Sequence, residues 1–320
     1  MADAATIRFD RPLSGIAFVI AGVTVFSIQD VIIKSLSGDY PVLEIVFVRS
    51  LVSLPLLFAF AGLRGGRRLR TSRPFQQAVR GVLMFLSYTT YYLALAALPL
   101  AEAVSLFYSA PLFMTALSGL LLGEHAGIRR WSAVAVGFLG VLVIMNPQGE
   151  LSLAAALAVA SALTYALSAL LARRIGETDS AESMAVFSSL VYAVLAGSAG
   201  LALGEGYLGQ AGSPEWNFLL RAWTWPEPVD FALFCVCGVV AAIGFTCLAQ
   251  AYRVAPATAV APFEYASLPW AVLWGWAIWS EIPSPTLLVG IVLVVGSGLY
   301  VFRREAIRAR ERARQLASNR

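Results

Sequence analysis

Five ionisable side chains lie inside stretches of the sequence that are otherwise strongly apolar: Asp30, Lys34, Glu44, Arg49 and Glu264. Charged groups are costly in apolar surroundings, so they usually face a partner or an aqueous cavity and mark paths for solutes or protons. Such groups can pair between helices, bind a zwitterionic or polar solute, or carry protons. The chemistry that these residues predict is therefore non-covalent.

Motifs for enzymatic chemistry do not accompany these charges. His125 is the only histidine, which excludes an H-E-x-x-H zinc site, and the run AGSAG at 196–200 lacks the first glycine of a G-x-S-x-G elbow. Lys34 follows an isoleucine instead of the glycine of a phosphate-binding loop. We expect neither an enzyme nor a primary pump, and no metal or cofactor.

The depth of the charges along their helices predicts which of them meet. At about 1.5 Å per residue, Asp30 lies roughly 10 Å from the outer end of the first apolar stretch, and Arg49 lies roughly 12 Å from the outer end of the second. We predict an Asp30–Arg49 ion pair, with Glu44 and Lys34 in a second, shallower layer, and we count Gln29 among the cavity residues. The pairs either lock two helices together or form the charged wall of an outward-opening cavity.

Glu264 differs because its own apolar stretch contains no basic residue. A carboxyl group removed from water holds its proton more firmly, as a proton-coupled carrier requires. Glu264 and Asp30 are thus the candidates for proton coupling. The alternative is a carboxylate that is hydrogen-bonded to neighbouring serine, tyrosine or Gln250.

Aromatic residues and prolines supply the remaining candidates. Tyr88 and Tyr91 share a helix face, and a planar solute would stack on such rings; the other predicted cavity residues are Tyr108, Tyr165, Tyr265 and Trp270. Pro111 and Pro269 interrupt predicted helices and are candidate gates. The alternatives are ordinary packing for the rings and simple kinks for the prolines. Small residues are assigned to close helix packing: Gly119, Gly123, Gly137, Gly140, Gly290 and Gly296.

The composition requires that these residues be positioned by membrane helices. Of 320 residues, 59% are hydrophobic and 13% charged, with a mean hydropathy of +0.75. A hydrocarbon core of about 30 Å needs apolar helices of about 17–25 residues. We predict ten spans, at 13–35, 41–62, 76–97, 101–122, 131–146, 151–172, 183–203, 231–252, 257–280 and 286–302.

The distribution of basic residues predicts the orientation of these spans. Twenty of the 23 basic residues fall at one set of predicted helix ends, whereas the opposite loops hold only Arg221. Because short basic loops stay on the cytoplasmic side, both termini are predicted to be cytoplasmic. Membrane topology explains the basic runs, so no nucleic-acid partner is expected.

Two segments reveal an internal repeat: LPLAEAVSLFYSAPLFMTALSGLLLGE at 98–124 and VAPATAVAPFEYASLPWAVLWGWAIWSE at 254–281. Each has an AV pair, a central proline and a final glutamate, and the first and sixth spans also match. We predict two five-helix repeats, residues 1–147 and 148–303, followed by a basic tail at 304–320. An odd number of spans per repeat makes the second repeat enter the membrane inverted. A short interfacial segment is expected within 204–230.

The two proline-containing segments, RRWSAVAVGFLGVLVIMNP at 129–147 and FSIQDVIIKSLS at 26–37 resemble the EamA-type branch of the drug/metabolite transporter superfamily. The resemblance covers roughly residues 12–303. It implies ten helices in two repeats around a central cavity. It also implies small organic substrates such as amino acids, riboflavin or S-adenosylmethionine derivatives.

We therefore predict a secondary carrier that works by alternating access in the inner membrane. Its expected substrate is an amino acid or an aromatic or heteroaromatic solute, and its expected direction is export. Uptake of a vitamin-like or nucleoside-like solute is one alternative, and a passive channel is another. The expected partners are a small solute, the lipid bilayer and, as a candidate coupling ion, the proton, while the oligomeric state stays open.

Overall fold

A computed structural model describes residues 12–63, 71–122, 128–145, 152–175, 179–206, 212–255 and 260–318, which are helical apart from short connections. The α-helices, in chain order, are α1 (Pro12–Leu36), α2 (Val42–Leu63), α3 (Pro74–Ala97), α4 (Leu100–Phe107), α5 (Ala110–Leu122), α6 (Ile128–Met145), α7 (Leu153–Ile175), α8 (Ala181–Leu203), α9 (Pro214–Leu220), α10 (Pro228–Val254), α11 (Ser267–Trp279) and α12 (Pro285–Ser318). A 3₁₀ helix, Ala261–Ala266, precedes α11. The described part of the chain contains no strand.

Seven stretches of these helices are long and apolar enough to cross a membrane. They are Leu13–Leu36, Val42–Phe60, Leu100–Leu117, Leu153–Ala172, Glu182–Leu203, Pro228–Ala251 and Pro285–Arg304, and Trp131–Met145 is a shorter apolar helix. The chain is therefore a multi-pass membrane protein. α3 is less apolar because it carries Gln76, Gln77 and Arg80 together with its tyrosines. Those polar groups need protein neighbours, and α3 packs against α7, α8, α1 and α4.

The fourth and ninth predicted spans are broken, although the sequence predicted them as single helices with bends. Tyr108 and Ser109 separate α4 from α5, and the 3₁₀ turn passes directly into α11. Pro111 lies in the first turn of α5 and Pro269 in the first turn of α11. Proline has no amide hydrogen and is best tolerated in a first helical turn, so each proline starts a half-helix instead of bending a continuous one.

The helices pack in a reciprocal pattern. α1 and α2, from the first half of the chain, both pack against α10 from the second half. Reciprocally, α7 and α8, from the second half, both pack against α3 from the first half. α2 also packs against α8, and α6 against α12. Helices from the two halves of the chain thus interleave throughout.

Two polar clusters fix opposite ends of the bundle. At the Lys34 end, where α1 ends and α2 begins, the Tyr40 hydroxyl donates to Asp230 Oδ2 at 2.7 Å. At the Asp179 end, where α3 begins and α7 ends, Asp179 accepts hydrogen bonds from Thr71 and from Gln77 Nε2. In each cluster, the connection between two helices of one half holds the first turn of a helix from the other half.

The connection that the sequence assigned to an interfacial segment contains α9. Phe218 is fully buried, while Trp225 is 95% exposed. Trp223 packs on Phe47, with ring centroids 5.7 Å apart. This segment therefore covers the Lys34 end of α2, α3 and α8.

The contact between α6 and α12 depends on glycine at position 140. A Cβ there would lie 2.7 Å from Leu293 Cβ and 3.0 Å from both Gly290 O and Val294 N, so a side chain would meet the backbone of α12. Gly296 has nothing within 4 Å of its own Cβ position, which corrects its assignment to close packing. Gly119 and Gly123 lie outside the residues whose side chains are described.

We expect Gly140→Ala to destabilise the protein by about 1–3 kcal/mol because it overpacks this contact. Gly296→Ala is the matched control and should stabilise α12 by up to about 1 kcal/mol through helix propensity. Thermal unfolding of the purified variants in detergent measures both. Equal melting temperatures for the two variants would contradict the packing role of Gly140.

Candidate functional site

Arg49 lies in the core of the bundle, inside a cage of three tyrosine rings. Its guanidinium carbon is 5.4 Å from the ring centroid of Tyr88 and 5.7 Å from those of Tyr92 and Tyr192. Its side chain is only 2% exposed. α2 supplies the arginine, α3 two of the rings and α8 the third. We call this cluster, Arg49 with Tyr88, Tyr92 and Tyr192, the Arg49 cage.

The Tyr92 hydroxyl is the hydrogen-bonding centre of the cage. It accepts from Arg49 Nη1 at 2.6 Å and from Gln29 Nε2 at 2.7 Å, which links α1, α2 and α3. Two further polar atoms, Gln29 Oε1 and the Tyr192 hydroxyl, are buried without a hydrogen-bond partner among the described residues. The cage is therefore polar and incompletely satisfied.

The predicted Asp30–Arg49 ion pair is wrong. Asp30 Oδ2 instead accepts from the Tyr91 hydroxyl at 3.0 Å, and no carboxylate among the described residues pairs with Arg49. The depth argument placed both residues at a similar level but did not fix their directions around their helices. Tyr91 donates a hydrogen bond to Asp30, and the adjacent Tyr92 accepts one from Arg49.

The predicted layer of Glu44 with Lys34 is also wrong. Lys34 Nζ lies 2.7 Å from Glu281 Oε1 and donates to Leu98 O at 2.6 Å. Glu281 Oε2 in turn accepts from the Leu100 amide at 2.8 Å. This ion pair joins the end of α1 to the start of α4 and to the segment after α11. The lysine side chain is only 10% exposed, so its ammonium group is largely removed from water.

Glu44 binds the connection that contains α9 and covers the Lys34 end of the bundle. Its carboxylate accepts from the Thr224 amide at 3.3 Å, and the residue is 5% exposed. Glu44 therefore lies in the first turn of α2, away from the Arg49 cage.

A continuous band of aromatic rings runs from the cage to the broken helices. Tyr88 lies 5.9 Å from Tyr92, and Tyr91 lies 5.8 Å from Tyr92 and 5.2 Å from Phe107, between ring centroids. Phe107 lies 5.3 Å from Tyr165 and 6.1 Å from Tyr108. The sequence predicted most of these tyrosines together, and the structure brings them together.

The two broken helices meet at their breaks. The Tyr108 hydroxyl, between α4 and α5, donates to Glu264 O at 2.7 Å and accepts from Ser267 Oγ at 2.7 Å. The rings of Tyr108 and Tyr265 are 4.9 Å apart. The Tyr108 side chain thus links the break between α4 and α5 to the 3₁₀ turn and the first turn of α11.

The remaining candidates lie around this crossing. Glu264 is half-buried and interacts electrostatically with Tyr88, Tyr108 and Tyr165. Trp270 stacks on Trp274 with centroids 6.0 Å apart, and no ring contact joins it to the tyrosine band in the described part of the chain. Trp274 Nε1 donates to Ser27 Oγ at 3.2 Å, so this tryptophan pair faces α1.

The arrangement fits reversible, non-covalent handling of a solute. Ionisable groups and aromatic faces line a band that ends at the crossing of two discontinuous helices, and substrate sites of transporters are typically formed by such helices. The sequence profile of the EamA-like transporter family matches residues 13–146 and again 152–303. The chain belongs to the EamA-like transporter family. It is a transporter of small molecules and not an enzyme.

Relatives of this chain are named as transporters of several different solutes. The chain is 31% identical to a riboflavin transporter of Rhizobium johnstonii over 82% of this chain and 80% of the relative. It is 28% identical to an S-adenosylmethionine uptake transporter of Rickettsia conorii, over 92% and 94% of the two chains. It is also 28% identical to a pseudopaline exporter of Pseudomonas aeruginosa, over 88% and 93%.

One solved structure resembles this EamA-like protein with a TM-score of 0.62 at 20% identity, covering 91% of this chain and 98% of the other. At that identity the likeness concerns the fold alone.

Sequence reasoning missed two residues of the candidate site, Tyr192 and Arg80. Tyr192 was not predicted, although a tyrosine in the middle of an apolar helix is a usable signal. Arg80 was counted only as a marker of orientation. Its Nη1 donates to Met184 O at 3.2 Å and to Ser188 Oγ at 2.8 Å, and it interacts electrostatically with Tyr88, Tyr165 and Tyr192. Its position well inside α3, beyond the first turn, was the available signal.

Proposed function

We propose that this protein is a secondary carrier that moves a small aromatic or heteroaromatic solute across the inner membrane by alternating access. The observation that carries the proposal is the meeting of two broken helices at Tyr108, beside Glu264 and the aromatic band. Half-helices can rock at their breaks, and backbone freed by a break can bind solute. The aromatic faces supply stacking for a planar ring.

The topology that we propose has ten spans in two inverted repeats, residues 1–147 and 148–303, with both termini cytoplasmic. Its support is the reciprocal packing of α1 on α10 and α7 on α3, together with the similar polar clusters at opposite bundle ends. The concentration of arginine at the Asp179 end makes that end cytoplasmic. The Lys34 end is then the outer end.

Alternating access requires that one end of the solute path close while the other opens. The Lys34–Glu281 ion pair joins α1 to the region between α11 and α12 at the Lys34 end. We propose that this contact forms the outer closure. Pro111 and Pro269, at the starts of α5 and α11, stay the candidate gate residues.

The substrate and direction are parts of the proposal that transport must test. Relatives include both an uptake transporter and an exporter by name, and export stays our prediction for this chain. Riboflavin, S-adenosylmethionine and aromatic amino acids are the first compounds to assay. We expect counterflow in proteoliposomes: unlabelled internal solute should accelerate uptake of the labelled solute. A passive channel would give equilibration that internal solute does not accelerate.

Proton coupling is tested at Asp30 and Glu264. If either carboxyl carries the coupling proton, Asp30→Asn or Glu264→Gln should abolish transport driven by a pH gradient while counterflow continues at near wild-type rates. Exchange needs no net proton movement, whereas gradient-driven transport does. Gradient-driven transport that is unchanged in both variants would exclude these two residues as the coupling site.

A further inference from the structure

The Arg49 guanidinium is buried, and no carboxylate among the described residues forms an ion pair with it. Its described hydrogen-bond acceptor is the Tyr92 hydroxyl at 2.6 Å, and its other neighbours are the three rings of the cage. A guanidinium has five N–H donors in a fixed fork that matches carboxylate and phosphate oxygens. Buried charges in proteins are ordinarily paired, because an isolated one is costly. This arginine therefore has unused capacity for an anion.

Unused polar capacity surrounds the same cation. The Tyr192 hydroxyl is buried and has no hydrogen-bond partner among the described residues. Gln29 and Arg49 both donate to the Tyr92 oxygen, so the Tyr92 hydroxyl proton points elsewhere. Buried polar groups are nearly always satisfied, and two unused hydroxyl donors beside one cation mark a place for an acceptor.

The other charges near the cage are already engaged differently. Arg80, nearer the start of α3, is fixed to α8 by two hydrogen bonds from its Nη1, while its Nε is buried without a partner among the described residues. Asp30 is bonded to Tyr91. Both interact electrostatically with Tyr88, as does Glu264, so Tyr88 lies between the charged groups. Of these charged residues, Arg49 is the one that contacts three tyrosine rings, two of which belong to the aromatic band.

We propose that the Arg49 cage is a subsite for an anionic group, a carboxylate or a phosphate, on the transported solute. The guanidinium balances the charge, the hydroxyls of Tyr92 and Tyr192 donate hydrogen bonds, and the body of the solute lies along the aromatic band. The inference rests on the proposed carrier function and adds to it that the substrate is an organic anion or carries an acidic group.

Matched acid and neutral compounds test this subsite on the purified, full-length protein. The pairs are indole-3-acetate with indole-3-acetamide, nicotinate with nicotinamide, and flavin mononucleotide with riboflavin. A compound that binds the folded state raises the apparent melting temperature. We expect at least one acid to bind about tenfold or more tightly than its neutral partner, as a charge-assisted hydrogen bond provides. Carboxylate and phosphate pairs reveal which anion the cage prefers.

Three variants locate the preference. Arg49→Gln should abolish it, and Tyr192→Phe should reduce it severalfold, because that change removes one donor but keeps the ring against Arg49. Thr89→Val is the matched control: the Thr89 hydroxyl is also buried on α3 without a partner but lies outside the cage. This control should keep the wild-type preference. Tyr192→Phe keeps the test valid if Arg49→Gln does not fold.

Three results would overturn the inference: no acid stabilises the protein, acids and neutral partners bind equally, or the preference survives in both cage variants. Counterflow of the same compounds separates this failure from failure of the carrier. Exchange of neutral compounds without acid preference would remove the anion subsite and keep the carrier. Acid binding that depends on Arg49, without exchange of any compound, would keep the subsite and remove the carrier.

Discussion

Replacement of Lys34 by methionine should lower the free energy of unfolding by about 3 kcal/mol, because breaking a partly buried ion pair leaves the partner charge uncompensated. Glu281 would lose its ion-pair partner, and the Leu98 carbonyl would lose the donor that lies 2.6 Å away. For a chain of this size the apparent melting temperature should fall by about 6 °C or more. Thermal unfolding in detergent checks this.

Glu281→Gln should be milder, at about 1–2 kcal/mol. The glutamine carbonyl still accepts from Leu100 or Lys34, and Lys34 keeps its bond to Leu98. The double variant Lys34→Met/Glu281→Gln should be more stable than the two single effects predict by addition, with a coupling of about 1–2 kcal/mol. Additive effects would show that the two charges do not interact in the folded protein.

The Lys34→Met variant also tests whether the ion pair closes the outer end of the solute path. In a background without the three native cysteines, we expect Leu98→Cys to react faster with a membrane-impermeant maleimide when Lys34 is methionine, because Leu98 is 7% exposed behind the ion pair. Gly38→Cys is the control, since nothing lies within 4 Å of its Cβ position. Its reactivity should be unchanged. Unchanged labelling at position 98 as well would mean that the ion pair does not close this end.

Tyr92→Phe should destabilise the protein by about 3 kcal/mol. The change removes the acceptor that both Arg49 Nη1 and Gln29 Nε2 use, and a buried cation loses its described hydrogen bond. The aromatic contact with Arg49 is retained, so the loss reports the hydroxyl alone. Thermal unfolding of the purified variant measures it.

Tyr265→Phe is the stability control for this prediction. Its hydroxyl is buried without a described hydrogen-bond partner, so removing it should change the free energy of unfolding by less than about 0.5 kcal/mol. An acid that binds the cage should restore part of the stability lost in Tyr92→Phe by supplying a new partner for Arg49. Similar losses in both variants would mean that the Tyr92 hydroxyl does not support the arginine.

The residues that the sequence named were largely those that meet in the fold, but their partners were not predictable. The rise per residue of a helix predicts that Asp30 and Arg49 lie at similar depth, but it does not predict which way their side chains point. Which side chains touch also depends on helix rotation and tilt, which pairwise packing decides. Rotation brought adjacent tyrosines of α3 between the two charges. The packing also placed Lys34 against Glu281, which lies 247 positions away along the chain.

The breaks at Tyr108 and before Ser267 illustrate the same limit. Pro111 and Pro269 predicted an interruption in each segment, because proline in the interior of a helix removes a backbone hydrogen bond. Whether the chain bends or stops depends on what can satisfy the freed backbone groups. Here the Tyr108 hydroxyl donates to Glu264 O from the other half of the chain, a contact between distant segments that no local pattern predicts.

Composition and hydropathy by themselves determined that this chain is an all-helical membrane protein, because those properties follow from residue types and their spacing, and the resemblance of its motifs predicted the EamA family that the family match confirmed. Only the tertiary structure decided that the Arg49 guanidinium faces three tyrosines and, in the described part of the chain, no carboxylate. Ion pairing is a short-range geometric event between helices that no local pattern orients. The unpaired cation, and the anionic solute that we propose for it, could therefore be found only in the packed bundle.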